Sequence, residues 1–595
     1  MKQFFTFVFA SCLGLFLAIF LVLFFTIGIA GLTGGSSDET AGKKAEANSV
    51  LDIKLESGEL PELTDNVEKS PFENDKTMSI HALVNAIDHA ATDDDIKGIA
   101  LTSRSSVAGF SKAQLIRQAV ERFKKSGKFV VAYADDFSQG AYYLASVADT
   151  IMLNPSGGVE FKGFAAQIPF MKDLFERLDV KWQIYYAGQF KSATEPFRLD
   201  KMSDQNRLQT REYLNGLYDL YLNDVSASRG ISKGELLDIA DKLKARNARD
   251  AVRLRLVDTE GYYDEFLTML RNKLSIKAKD KIHSIQLTDY AQGVDRKKGS
   301  GSDKIAIVYA EGTINYGNGN EEKSGEIEGL RYAKIIRKLR QDDKVKAIVL
   351  RINSGGGSAT ASEMIWRELD LARQSGKVVV SSFGEYAASG GYYIAMASDS
   401  IFAEPTTLTG SIGVFSMIPS LQKTFKTKLG ISFDSVKTTA QAQGLTTNFD
   451  INPFQATVLQ AQTDSLYEHF LKLVANNRHK TRDEVHAIAQ GRVWLAEKGR
   501  EIGLVDRIGG LDMAIASAAA KAGLKEYKTL EYPKPKNALQ AFIEQMTGQK
   551  PNSDGIKAAM IRQELGEYAE FYDFAKQMKT WTGPQMRLPF VMKIQ

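Results

Sequence analysis

The feature that most constrains this chain is that it repeats itself. Laid over the first half at an offset of about 250 residues, the second half brings similar segments together in the same order. Asp93 to Leu101 falls on Asp342 to Leu350, and Ala141 to Ile151 falls on Gly391 to Ile401. Farther on, Gly216 to Leu222 matches Ser465 to Leu471, and Leu256 to Asp258 matches Leu504 to Asp506. Ordered matches over that span mean a tandem duplication, so the fold of one half is the fold of the other. A length of 595 residues agrees, since single domains hold about 100–250. The polar stretch Asp295 to Asp303 is the natural linker, which divides the chain into domains 47–294 and 304–530 with an extension, 531–595, beyond them.

Each half reads as α/β. Apolar runs at Lys304 to Tyr309, Ala347 to Ile352 and Val378 to Ser382 predict buried strands. Between them, Leu330 to Leu339 and Ala361 to Gln374 have helical spacing, and Ser389 to Ala397 opens a further helix. Strands alternating with helices imply largely parallel pairing with helices on the faces. The extension contains helix-forming stretches such as Gly555 to Lys579 and is expected to be helical.

Composition removes several function classes. The net charge of +4 is spread without a basic tract, which argues against a nucleic-acid partner. A single cysteine, Cys12, excludes an intramolecular disulfide and a cysteine metal cage. The six histidines are scattered without ligand spacing, so neither a metal nor any other cofactor is expected. At the amino terminus, Phe4 to Leu32 is almost wholly apolar and long enough to span a hydrocarbon core of about 30 Å. It exceeds the apolar region of a cleaved signal, about 7–15 residues, and is expected to be an uncleaved anchor spanning residues 4–32. Lys2 before it should keep the amino terminus in the cytoplasm, with the domains on the periplasmic or extracytoplasmic side of a bacterial inner membrane.

The chemistry lies where the two halves differ. After the strand ending at Ile352, the second half has Ser354-Gly-Gly-Gly357, and the first half has no such glycine run. Glycines there let backbone N–H groups approach an oxyanion closely, although a tight strand-to-helix turn would look the same. Ser389, between Ala388 and Gly390 at a strand-to-helix turn, aligns with Gln139 in the first half. Such a turn can expose a serine hydroxyl and place the next N–H beside it; by itself it fits a helix cap as well. Conversely, Lys191 in Gln189-Phe-Lys191 aligns with Gln443 in Gln441-Ala-Gln443. The first half has the lysine and lacks the serine; the second half is the reverse.

Ser389 with the residues around it, the run Thr409 to Val414, and Lys191 to Phe197 closely resemble the signal peptide peptidase A (protease IV) family in its long tandem form. The resemblance covers nearly the whole chain and implies tandem Clp protease/crotonase-like domains behind a single transmembrane helix. It implies a serine peptidase with Ser389 as nucleophile and Lys191 as general base. The N–H groups of Gly390 and Gly356, or Gly357 next to it, would form the oxyanion hole, and Ser411 would orient the lysine. It further implies a membrane-bound homotetramer that degrades remnant signal peptides. One departure from the family pattern is Gly355, which stands where a proline is usual.

Overall fold

The computed structural model describes residues 44–55, 60–63, 78–103, 109–294, 299–317, 325–534 and 583–588. The first half contributes strands β1 (Ser49–Ile53), β2 (Ile96–Leu101), β3 (Phe129–Ala134), β4 (Thr150–Leu153), β5 (Lys181–Ala187), β6 (Thr259–Glu260) and β7 (Ser284–Gln286). All but β5 form one parallel sheet in the order β6-β4-β3-β2-β1-β7. The second half begins with β8 (Lys304–Glu311), β9 (Thr313–Asn315), β10 (Glu326–Glu328), β11 (Val345–Ser354), β12 (Gly356–Ser358) and β13 (Val378–Ala388). It continues with β14 (Ser400–Ala403), β15 (Leu408–Gly410), β16 (Val414–Ser420), β17 (Val493–Leu495), β18 (Arg507–Ile508) and β19 (Lys528–Tyr532). Its main sheet runs β17-β15-β13-β11-β8-β19, parallel except at β15·β17, with β14 on β13 and β18 on β14. The central strands are apolar on both faces and buried, as a parallel sheet covered by helices requires.

The duplication extends to individual hydrogen bonds. The Asp149 carboxylate accepts from Val130 N at 2.8 Å, and its counterpart Asp399 accepts from Val379 N at 2.9 Å. Tyr142 donates to the Leu256 carbonyl at 2.8 Å; Tyr392 donates to that of Leu504 at 2.9 Å. Arg229 pairs with Asp258 and Arg478 with Asp506, each aspartate also accepting from the first residues of a strand. The 26-residue helix Asp204–Arg229 starts at a Ser203 cap and ends at Gly230 with φ 62°. Its counterpart Pro453–Arg478, also 26 residues, starts at an Asn452 cap and ends at His479 with φ 53°.

Each half has its own large apolar cluster, and three of the contacts joining them position the site. The main one is a third sheet, β10-β9-β12-β20-β16-β5, where β20 is Gln585–Arg587. In it β5 of the first half pairs antiparallel with β16 of the second, from Lys181↔Ser420 to Ala187↔Val414. The helix Asp204–Arg229 packs Tyr213 and Leu217 against Leu408 and Val493. Finally, the buried Glu62 receives the Arg351 guanidinium at 3.0 Å, and His81 lies 2.6 Å from the same carboxylate oxygen. Burial pushes the Glu62 carboxyl up, but Arg351 and then His81 outweigh it and hold the group well below the usual carboxylate range.

The expected strands of the second half are present, most of them longer by a few residues because their backbone groups continue to pair beyond the apolar run. The expected anchor, 4–32, lies outside the described residues, and among those described no helix is long and apolar enough to cross a membrane. Most of the extension, including Gly555 to Lys579, also lies outside them. Its described parts are extended: the boundary expected at 530/531 falls inside β19, and residues 585–587 are strand.

Candidate active site

Ser389 follows β13 directly and has φ 56° and ψ −115°, a backbone conformation that a non-glycine residue adopts only when its surroundings hold it. Two bonds do so here. Its N–H donates to the Gly410 carbonyl at 2.8 Å, and its carbonyl accepts from Tyr393 N at 2.8 Å. The helix Gly390–Ile394 begins at the next residue, so the Gly390 N–H lies in a first turn and has no intrahelical acceptor. Ser411, just beyond β15, also has positive φ (50°) and is pinned by its N–H to the Arg492 carbonyl at 2.7 Å.

Lys191 comes from the first half. Its loop follows β5, which the ladder with β16 draws across the second domain. The Phe190 N–H donates to the Gln490 carbonyl at 2.8 Å, seating the loop on that domain. A side chain at Gly491 (φ 80°) would meet the Lys191 backbone nitrogen at 2.6 Å, so only glycine permits this approach. The result is a lysine 1% exposed whose Nζ lies 2.7 Å from Ser389 Oγ and 3.1 Å from both the carbonyl and the hydroxyl oxygen of Ser411. These partners are neutral oxygens. Burial therefore pushes the Lys191 pKa well below its ordinary value, which favours the amine form. A buried amine beside a strained serine hydroxyl can take that hydroxyl's proton and free the oxygen to attack a carbonyl.

Of the two glycines that the resemblance offers as second oxyanion donor, the structure favours the neighbour, Gly357. The Gly356 N–H already donates to Ser354 Oγ at 3.1 Å, because the residue's φ of 98° turns the peptide back toward that side chain. Gly357 is better placed. Strand β20 runs antiparallel to β12, with Gly357 opposite Met586, and Leu588 N donates to the Gly355 carbonyl at 2.7 Å. Hydrogen-bonded pairs recur every second residue in such a ladder, so the Gly357 N–H faces the Met586 carbonyl. A Cβ on Gly390 would lie 3.1 Å from both Gly357 N and that carbonyl oxygen. The chain's own residues 585–588 thus lie as an extended peptide beside Ser389, with a carbonyl between the two glycines.

Residues that the sequence did not single out frame the lysine. Gln209 is buried, and its amide nitrogen donates to the Phe190 carbonyl at 3.2 Å and to Ser192 Oγ at 3.0 Å. Its oxygen accepts from Val493 N of the second half at 3.1 Å. Glu195, also buried, accepts from Ser203 Oγ at 2.6 Å and from Asn206 Nδ2 at 2.9 Å, tying the lysine loop to the start of the long helix. A glutamine inside an ordinary amphipathic helix carries no sequence signal. In the first half, Gln139 takes the place of the serine. It bonds Gly163 O at 3.0 Å, Lys162 N at 3.0 Å and Gly163 N at 2.9 Å, closing the corresponding space with a structural amide.

Residues 122–277 and 371–525 each match Peptidase family S49, so the family domain occurs once in each half. The chain is similar to Protease 4 of Salmonella typhi, 36% identical over 79% of this chain and 76% of that one. Protease 4 of Haemophilus influenzae is 37% identical over 74% and 73%, respectively. The chloroplastic serine protease SPPA of Arabidopsis thaliana is 30% identical over 78% and 69%. Among solved structures, a ClpP1 mutant of Listeria monocytogenes aligns over 35% of this chain and 94% of its own at 13% identity, with a TM-score of 0.23, too low to establish a common fold. The chain belongs to Peptidase family S49 and is a serine peptidase.

Proposed function

We propose that this peptidase is a membrane-anchored endopeptidase that cuts hydrophobic peptides, among them signal peptides left in the bilayer, with a Ser389/Lys191 dyad. The observation that carries the reading is the 2.7 Å contact between a buried lysine of one half and a strained serine of the other. Neutral Lys191 accepts the Ser389 proton as Oγ bonds to the peptide carbonyl carbon. The oxyanion so formed accepts from the N–H groups of Gly390 and Gly357. Lys191 then gives its proton to the leaving amine as the C–N bond breaks. Water, deprotonated by the same amine, hydrolyses the acyl-enzyme and restores Ser389. Ser411 keeps the Nζ lone pair aimed at Oγ by accepting its N–H bonds.

A substrate strand would take the place of Gln585–Arg587 between β12 and β16, bonded through its backbone. That mode suits extended peptides, and the flanking apolar side chains suit greasy ones. The apolar segment 4–32 would hold the enzyme at a bacterial inner membrane with both domains extracytoplasmic, next to such peptides. Family resemblance adds a homotetramer to this reading.

Ser389→Ala and Lys191→Met should each lower kcat/KM for peptide hydrolysis by about 10⁴-fold or more. A serine-directed acylating probe should label the wild type and not Ser389→Ala; labelling that survives would exclude Ser389. Because the base acts only when neutral, kcat/KM should rise with pH through the Lys191 pKa and level above it. That limb should lie well below 10.5, and a limb near the ordinary lysine value would point to another base. Gln209→Ala should cut kcat by about 10²-fold with little change in KM. By admitting water to the lysine it should also move the limb to higher pH, which a loss of stability alone would not do. A tethered segment competes at an effective concentration in the millimolar range, so a chain ending at Thr582 should show a KM for apolar peptides about tenfold lower. An unchanged or higher KM would make Gln585–Arg587 part of the frame instead.

A further inference from the structure

Strand β20 gives the register in which an extended peptide lies beside Ser389. The Met586 carbonyl faces the Gly357 N–H, and a Cβ on Gly390 would lie 3.1 Å from the same oxygen. A peptide bond held there is the one that Ser389 would attack. Met586 thus stands for the residue before the cut and Arg587 for the residue after it. Side chains alternate between the faces of a sheet, and paired residues share a face. Gly357 pairs with both Met586 and Ile314, and Ile314 pairs with Ile327. Met586, Ile314 and Ile327 are at most 2% exposed and belong to the second half's core cluster. Gln585 and Arg587 therefore point to the opposite face, which β9 and β10 line with Thr313, Asn315, Glu326 and Glu328.

That second face suits a cation. Arg587 is buried, 6% exposed, and its pairing partner on β12 is Gly356, which has no side chain to bar the path to β9. Nη2 donates to Asn315 Oδ1 at 3.4 Å, and Nε donates to Gln585 Oε1 at 2.9 Å. The Glu326 carboxylate on β10 attracts the same guanidinium. Burial pushes the Arg587 pKa down to about 10 with Glu326 acting against it, so the group stays charged near neutrality. An acidic residue in the same place would face Glu326 as a like charge and would have no proton to give Asn315 Oδ1. A small apolar residue would forgo both interactions.

We propose that this face selects a basic residue immediately after the cut, so that the enzyme favours peptides in which an apolar residue precedes a lysine or arginine. Asn315 is the acceptor for that residue and Glu326 its counter-charge. The proposal rests on the catalytic reading of Ser389 and on a substrate strand taking the place of β20. It adds the side of the peptide which that reading leaves open. The slot is then divided by chemistry: its core face takes the residue before the cut, and its polar face takes the residue after it. Gly356 gains a use as well. Its N–H is held by Ser354 Oγ, but its missing side chain lets a long cationic one cross β12 to reach Asn315.

The test is the set of new amino termini that the full-length enzyme, in detergent, makes from a mixture of denatured proteins, read by mass spectrometry. Corrected for abundance, lysine and arginine should stand first in these termini about tenfold more often than aspartate and glutamate. Glu326→Gln should lower that ratio several-fold, and Glu326→Lys should invert it. The preference for an apolar residue before the cut should persist in both, because that residue lies on the other face. Wild-type termini without the basic preference would overturn the inference, and so would a preference that survives Glu326→Lys. The wild-type ratio needs no variant, so an unstable Glu326→Lys chain still leaves the inference open to refutation. Ser389→Ala separates the two readings. If it abolishes the cuts and the wild type shows no basic preference, the specificity falls alone. If the same cuts persist, or the wild type makes none, the catalytic reading falls and the inference with it.

Discussion

Everything in the site hangs on the antiparallel pairing of β5 with β16. Each sheet of parallel strands is complete within its own half, and each half buries its own apolar cluster. What neither half contains is both a lysine and a serine in working positions. The ladder supplies the missing relation: seven consecutive residue pairs fix β5 on the second domain, and the loop that follows has to descend next to Ser389. A one-residue slip would turn every side chain of β5 to the opposite face and carry the loop with it. The register therefore sets whether Lys191 Nζ reaches Ser389 Oγ.

On the proposed reading, that placement is what would make the lysine a base. Deprotonating serine near neutrality requires a shift of about three pKa units, or roughly 4 kcal/mol against the ammonium. Among the described residues no charged side chain contacts Nζ; what opposes the charge is enclosure, with two hydroxyls and a carbonyl as its hydrogen-bond partners. Enclosure is costly to arrange at a domain boundary, where water ordinarily enters. The boundary is sealed by a glycine at 491 that lets the lysine backbone come into contact, and by the Gln209 amide that bonds both halves at once. The strained φ at Ser389 belongs to the same arrangement, since the helix and the Gly410 carbonyl hold the hydroxyl where the amine can reach it.

Much of this was readable in the sequence because duplication supplies an internal control. Strands and helices of the second half follow from apolar runs and helical spacing, and the mismatch of Ser389 with Gln139, and of Lys191 with Gln443, marked the residues that meet. What the sequence leaves open has physical reasons. Gly356 and Gly357 are identical in type, and only the positive φ of the first, which turns its N–H to Ser354 Oγ, distinguishes them. Gln209 and Glu195 hold the lysine loop through partners 8 to 284 positions away, at no helical or strand spacing, so they leave no periodicity. Gln585–Arg587 is too short and too mixed to read as a strand; it is one because β12 and β16 leave a gap of one strand's width between them.

That gap shows how a duplicated fold came to hold one site in place of two. A slot for an extended peptide needs free strand edges, and an unpaired edge invites any strand that fits. In the second half the edges of β12 and β16 face each other across Ser389, and the chain's own carboxy-terminal segment lies between them. In the first half the position of the serine is held by Gln139, whose amide bonds Lys162 and Gly163 and fills the space from within. The lysine stands only in the half that lacks the serine, and the serine only in the half that lacks the lysine. On the proposed reading neither half carries the dyad alone, and the boundary that β5 and β16 make is where the two groups meet.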